Sequence, residues 1–173
     1  MDDCSRNHAR QAAGWLDGVR REAQALGNAR MQARDAYEGM LSPKGVRYQG
    51  RDVPGSPNAY GDAIPDGLAR VDALMDATAF VDMELLERAV GVVTHALQGT
   101  ARMYALAYYL GITGAVGLGS PDYAGPLSWC EMERAFGASR STMSLAMREG
   151  REAIYELMPH TARDVASQAL PLC

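Results

Sequence analysis

Arg140, Arg148 and Arg151 recur with Ser139, Ser141 and Ser144 within residues 127–157, LSWCEMERAFGASRSTMSLAMREGREAIYEL. An arginine fork pairs with O6 and N7 of guanine or with phosphate oxygens, and a serine hydroxyl reaches a base edge or a phosphate without holding a helix away from the groove. These types in this order predict a surface for double-stranded DNA. Arg140 and Arg148 are expected to contact bases or phosphates, Ser139, Ser141 and Ser144 to position the helix, and Arg151 to reach the backbone of the duplex. Leu145 falls on the same exposed edge. The competing reading is a plain helical hairpin with solvated arginines, which the acids Glu131, Glu133, Glu149 and Glu152 favour.

The elements that must present those residues are readable from their punctuation. Ser128 and Glu131 have the S-x-x-E spacing of a capping box, Met132 and Phe136 face inward, and Gly137 suits the left-handed residue that ends a helix. Ser139 then caps a second helix starting at Arg140, whose buried stripe is Met143, Ala146, Ala153, Ile154 and Leu157 and which Pro159 stops. A short helix, a three-residue turn with glycine and a longer helix make a helix-turn-helix, the arrangement that lays a second helix in the major groove.

Other chemistries find less support. His8, His95 and His160 lie far apart, so no zinc site and no other metal site is expected; His95 reads as a core or interface group. Cys130 follows Trp129 at a helix start, yet no base that would activate it is identifiable, and a small buried thiol is the simpler reading. Asp62, Asp66, Asp72 and Asp76 spread round a helix as a solvated face. Residues 111–126 hold five glycines but lack the Lys-Ser/Thr pair and the preceding strand of a nucleotide loop, and so read as a flexible connector. No enzymatic activity and no cofactor are expected.

Composition sets the frame. The chain has 173 residues, with 28 alanines, 16 leucines and 10 methionines against 19 β-branched residues, so an all-α fold is expected. Three cysteines without metal spacing and an N-terminus without signal-peptide character point to a reducing cytoplasm, in a bacterial host cell on the resemblance below. Residues 103–121 carry no formal charge, but their tyrosines and glycines make them a buried helix running into a loop rather than a membrane span. The net charge is −4, divided as +2 over residues 1–52, −5 over 53–126 and −1 over 127–173. A monomer with this balance should hold DNA weakly, so recognition must come from local arginines multiplied by oligomerisation.

Upstream, a heptad seam of Ala12, Leu16, Val19, Ala23, Leu26, Arg30, Ala33, Tyr37 and Met40 predicts one long helix over residues 1–41. It fits either a face packed within the fold or a coiled coil with a second copy. The pairs Arg20-Arg21 and Arg30/Arg34 read as a solvated face. Residues 42–64 are dense in proline and glycine and form a connector, which Tyr48 and Tyr60 could pin. Pro65-Asp66 opens a helix with the stripe Leu68, Val71, Met75, Ala79, Met83, Leu86, Val90, Val93 and Leu97, ended by Gly99, and a third helix covers residues 101–110. The central helices thus occupy 65–110, the glycine-rich loop 111–126, the helix-turn-helix 127–158 and a tail 159–173. The architecture expected is long N-terminal helices forming an assembly module, followed by a C-terminal helix-turn-helix.

Residues 127–157 resemble region four of bacterial sigma factors. With the heptad-bearing helix, the linker GVRYQGRDVPGSPNAYGDAIPDGLARVDAL and the run MYALAYYL before them, the order of parts is similar to that of small sigma-like phage and prophage regulators of the ArpU and RinA type. The resemblance implies a transcription regulator that binds promoter DNA through its C-terminal helices and contacts RNA polymerase. The chain departs from that pattern at Glu133, where a small residue is usual, and in the length of residues 111–126. Two alternatives stay open: a phage terminase small subunit, assembling as a ring of about eight or more chains, and a helical module that binds a host protein such as RNA polymerase without touching DNA.

Overall fold

The computed structural model describes residues 3–41, 72 and 79–162, and the fold is all-α. Among the described residues the helices are α1 (Asp3–Leu41), α2 (Met83–Ala96), α3 (Gly99–Leu110), α4 (Trp129–Phe136), α5 (Arg140–Glu149) and α6 (Arg151–Leu157). None is long and apolar enough to cross a membrane. The expected connector over 42–64 lies outside the described residues, as do most of 65–78 and the tail beyond 162.

The seam of α1 forms the centre of the main core. Ala12, Leu16, Val19, Ala23 and Leu26 are buried, and they share one cluster with Leu86, Val93 and Leu97 of the α2 region, Tyr109 and Leu110 of α3, and Ile154 of α6. The packing is mainly against α6 and α3. The first part of the seam is therefore consumed inside the fold. Farther along α1, Met31 and Tyr37 are 43% and 53% exposed, so among the described residues α1 leaves apolar side chains open at this end.

The helix expected to run on to Leu97 is interrupted. Ala79 and Phe80 form a turn, and the Asp82 carboxylate then accepts from the Leu85 N–H at 2.8 Å to start α2 afresh. Phe80 stands 90% exposed at the break. The third helix begins two residues earlier than expected, at Gly99, and ends at Gly111, whose φ of +64° suits glycine.

Residues 111–126 are pinned to the bundle, contrary to the expected flexible connector. Tyr123 is buried, with its hydroxyl 2.9 Å from the Leu110 carbonyl and 3.2 Å from that of Ala23; burial pushes its phenol up to about 12. A Cβ on Gly27 would come within 2.5 Å of the Ala124 carbonyl oxygen, so the loop lies directly on α1. Arg30 donates to the carbonyls of Leu118 and Ser120 and covers the Tyr123 ring with its guanidinium 5.5 Å from the ring centre. The charge-assisted bonds and the close approach together hold a segment whose composition alone suggests mobility.

The last helix of the sequence reading is two helices. Gly150, with φ −91° and ψ 1°, separates α5 from α6, and a Cβ there would overlap the side chain of Leu97. The break carries Ile154 into the main core, while Met143 joins Met132 and Ala107 in a smaller cluster beneath α4 and α5. The expected stripe shifts accordingly. Met147 is buried where Ala146 was expected to be, and Leu157 is 49% exposed.

Candidate nucleic-acid interface

The turn that presents α5 is built from local caps. Ser128 and Glu131 form a reciprocal box: the Ser128 N–H donates to Glu131 Oε2 at 2.7 Å, and Ser128 Oγ accepts from the Glu131 N–H at 3.4 Å. The Ser128 hydroxyl, donating to Glu131 Oε2 at 2.6 Å, and then the Ser128 N–H hold the Glu131 carboxyl below the usual carboxylate range. Gly137 then takes φ +63°, its N–H donating to the Glu133 carbonyl, and Ser139 Oγ accepts from the Thr142 N–H at 3.3 Å. The result is the short helix, glycine turn and second helix that the sequence describes.

Beneath the turn, α3 serves as a platform. The Leu127 N–H donates to the Ala107 carbonyl at 3.1 Å, and Tyr104 meets Phe136 edge to face at 5.2 Å. Arg20 crosses from α1 to donate to the carbonyls of Tyr108 and Leu127, the latter at 3.1 Å. Its guanidinium lies 3.9 Å from the centre of the Tyr108 ring; Tyr108 packs on Trp129 at 4.3 Å, and Trp129 faces the Arg140 guanidinium at 5.0 Å. A column of two cations around two aromatic rings thus links α1 to the first residue of α5. Arg20 and Arg30 were expected on a solvated face. They turn inward because loop carbonyls and aromatic faces come to meet them, whereas Arg34 stays outside in an i,i+4 pair with Glu38 at 2.8 Å.

The sequence-predicted residues divide into three groups. Arg140, Ser144 and Arg148 are exposed along α5 with Leu145, which is 47% exposed. Neither arginine forms an ion pair with a carboxylate among the described residues. Ser139 and Ser141 are also exposed, but their hydroxyls lie 2.9 Å apart within the cap, where Ser139 Oγ is also 2.9 Å from Thr142 Oγ1. Arg151 departs from the expected role. As the first residue of α6 it is half-buried beside Tyr109, and its buried Nε has no acceptor among the described residues. Burial pushes the Tyr109 phenol up, and the Arg151 charge and hydrogen bond oppose that rise.

Two of the acids around the turn, Glu131 and Glu133, act as caps. Glu133, the departure from the sigma-like pattern, points across the turn, and its Oε1 accepts from the Arg140 N–H at 3.0 Å. It satisfies an orphan donor of α5 and places a carboxylate at the positive end of the helix. Glu149 and Glu152 are exposed.

Three smaller readings change. His95 is exposed rather than in a core, with Nδ1 2.7 Å from the Gly91 carbonyl of its own helix. Cys130 is exposed rather than buried. No histidine is expected at i+4 from a cysteine, yet Cys4 and His8 have that spacing, with Cys4 Sγ 3.6 Å from His8 Nε2, and His8 stacks on Tyr155 at 4.0 Å. Among the described residues no three His, Cys, Asp or Glu side chains gather as a metal site. Compared with known families, curated proteins and solved structures, the chain matches none.

Proposed function

We propose that the chain is a non-enzymatic, sequence-specific DNA-binding transcription regulator of the sigma-like phage or prophage type, acting in the bacterial cytoplasm. The observation that carries this reading is the edge of α5. Arg140, Ser144, Leu145 and Arg148 stand out together from a capped turn, with both guanidinium groups free of carboxylates among the described residues. Such an edge suits the major groove, where arginine reads guanine and short side chains allow close approach. Ser139 and Ser141 belong to the cap and act by setting the start of the helix, and Arg151 drops out of the contact set.

The net charge of −4 calls for more than one copy on the duplex. The exposed end of α1, with Met31 and Tyr37, is the surface we assign to self-association, because the seam residues Ala12, Leu16, Val19, Ala23 and Leu26 are already buried within the fold. RNA polymerase is a further proposed partner, drawn from the sigma-like resemblance.

Retention of source-genome fragments by the full-length protein, measured at about 50 and 200 mM salt, tests the reading. Specific fragments held at the lower salt and released at the higher support it; no specific retention at low salt overturns it. A ring of about eight or more chains in solution would point to packaging instead, and a dimer or tetramer to transcription.

A further inference from the structure

Leu145 is the feature of the α5 edge that arginine and serine chemistry leaves unexplained. It is 47% exposed in the middle of a polar helix, with Ser141 one turn before it, Ser144 beside it and Arg148 three residues after it, all exposed. A leucine on a helix lies back over the preceding turn. Here that turn carries Ser141 and Thr142, too short to shield an isobutyl group.

The setting narrows the occupant. Among the described residues the other large exposed apolar side chains are Met31 and Tyr37 on α1, Phe80 just before α2, Met103 on α3 and Leu157 on α6, so Leu145 is the one such side chain carried by α5. A protein partner wants a cluster of apolar anchors in a dry patch. One aliphatic group framed by hydroxyls and a guanidinium matches instead a base edge on which one methyl sits beside an oxygen acceptor. Thymine offers that combination in the major groove.

We infer that Leu145 is a specificity residue that packs on the C5 methyl group of a thymine, while Arg148 supplies affinity on the same face. The inference rests on the duplex-binding reading above and adds to it one base and the atom by which that base is told apart. Cytosine lacks the methyl group, and uracil keeps the hydrogen-bonding pattern of thymine but loses the same contact.

The test uses the full-length protein and the duplex it enriches from a random DNA library, resynthesised with deoxyuridine replacing each thymidine in turn. The wild type is expected to bind about fourfold more weakly at one replaced position, the loss that accompanies one buried methyl group. Leu145→Ala, whose unchanged thermal midpoint shows that it folds, should bind the thymidine and deoxyuridine duplexes equally. The inference is overturned if the wild type tolerates deoxyuridine everywhere or if Leu145→Ala keeps the same penalty. In either case an Arg148→Ala variant that still loses binding leaves the duplex reading standing. Failure to enrich any duplex overturns both together.

Discussion

Arg20 and Arg148 are the same residue type on exposed-looking stretches of helix, yet the fold uses them in opposite ways. Arg20 spends its donors on two main-chain carbonyls and stacks on Tyr108, holding α1, α3 and the entry to α4 together. Arg148 extends from α5 with no carboxylate partner among the described residues. What separates them is the neighbouring chain. Carbonyls at the end of α3 and in the loop before α4 draw one guanidinium inward, and among the described residues none accepts from the other.

The contrast is broken most forcefully at the inward site. Arg20→Ala leaves two carbonyls without their donor and removes a cation from an aromatic face, so thermal or urea unfolding should show a loss of about 2–3 kcal/mol. Arg20→Lys should recover little of it, because an ammonium cannot fork to two carbonyls while lying flat on a ring. The outward site should behave in the reverse sense. Arg148→Ala is expected to leave the unfolding midpoint within about 0.5 kcal/mol of the wild type. Its binding to the enriched duplex, measured by gel retardation, should fall by about tenfold or more.

Glu133 sharpens the comparison from the other side. Its carboxylate occupies the positive end of α5, where a phosphate would otherwise be welcome. Glu133→Gln keeps an acceptor for the Arg140 N–H while removing the charge, and retention at low salt should strengthen about two- to fivefold. Weaker retention by the glutamine variant would mean that the charge itself is needed to hold the helix start.

The smallest effect expected is on pH dependence. Ser128 holds the Glu131 carboxyl below its ordinary range in the folded chain. The capping box therefore contributes stability above the unfolded-state pKa of Glu131, and that contribution disappears as pH falls through the lower folded-state value. Wild type and Glu131→Gln should accordingly differ in melting temperature at pH 7 and converge below about pH 4. A constant gap across that interval would show that the box is maintained by the protonated acid as well.

The comparison also explains how much was legible in the residues themselves. Ser128, Glu131, Gly137 and Ser139 act within four positions of their partners, so the turn and the start of α5 could be read directly, as could the stripe from Ala12 to Leu26. What escaped depends on residues far along the chain. Gly150 breaks the last helix against Leu97; Arg20 and Arg30 find carbonyls about ninety positions away; Tyr123 ties a glycine-rich loop to α1 and α3. Arg151 belongs with these. Its position resembles a continuation of the α5 surface, and only the helix break turns it toward Tyr109.

The central claim is that the outward edge of α5 grips a duplex. Its most direct test is the salt dependence of binding to the enriched duplex for the wild type and for the double variant Arg140→Ala/Arg148→Ala, at matched unfolding midpoints. Losing both guanidinium groups should weaken binding at least about a hundredfold and flatten the slope of log affinity against log salt by about two. Equal affinity and equal slope for the two proteins would contradict the claim.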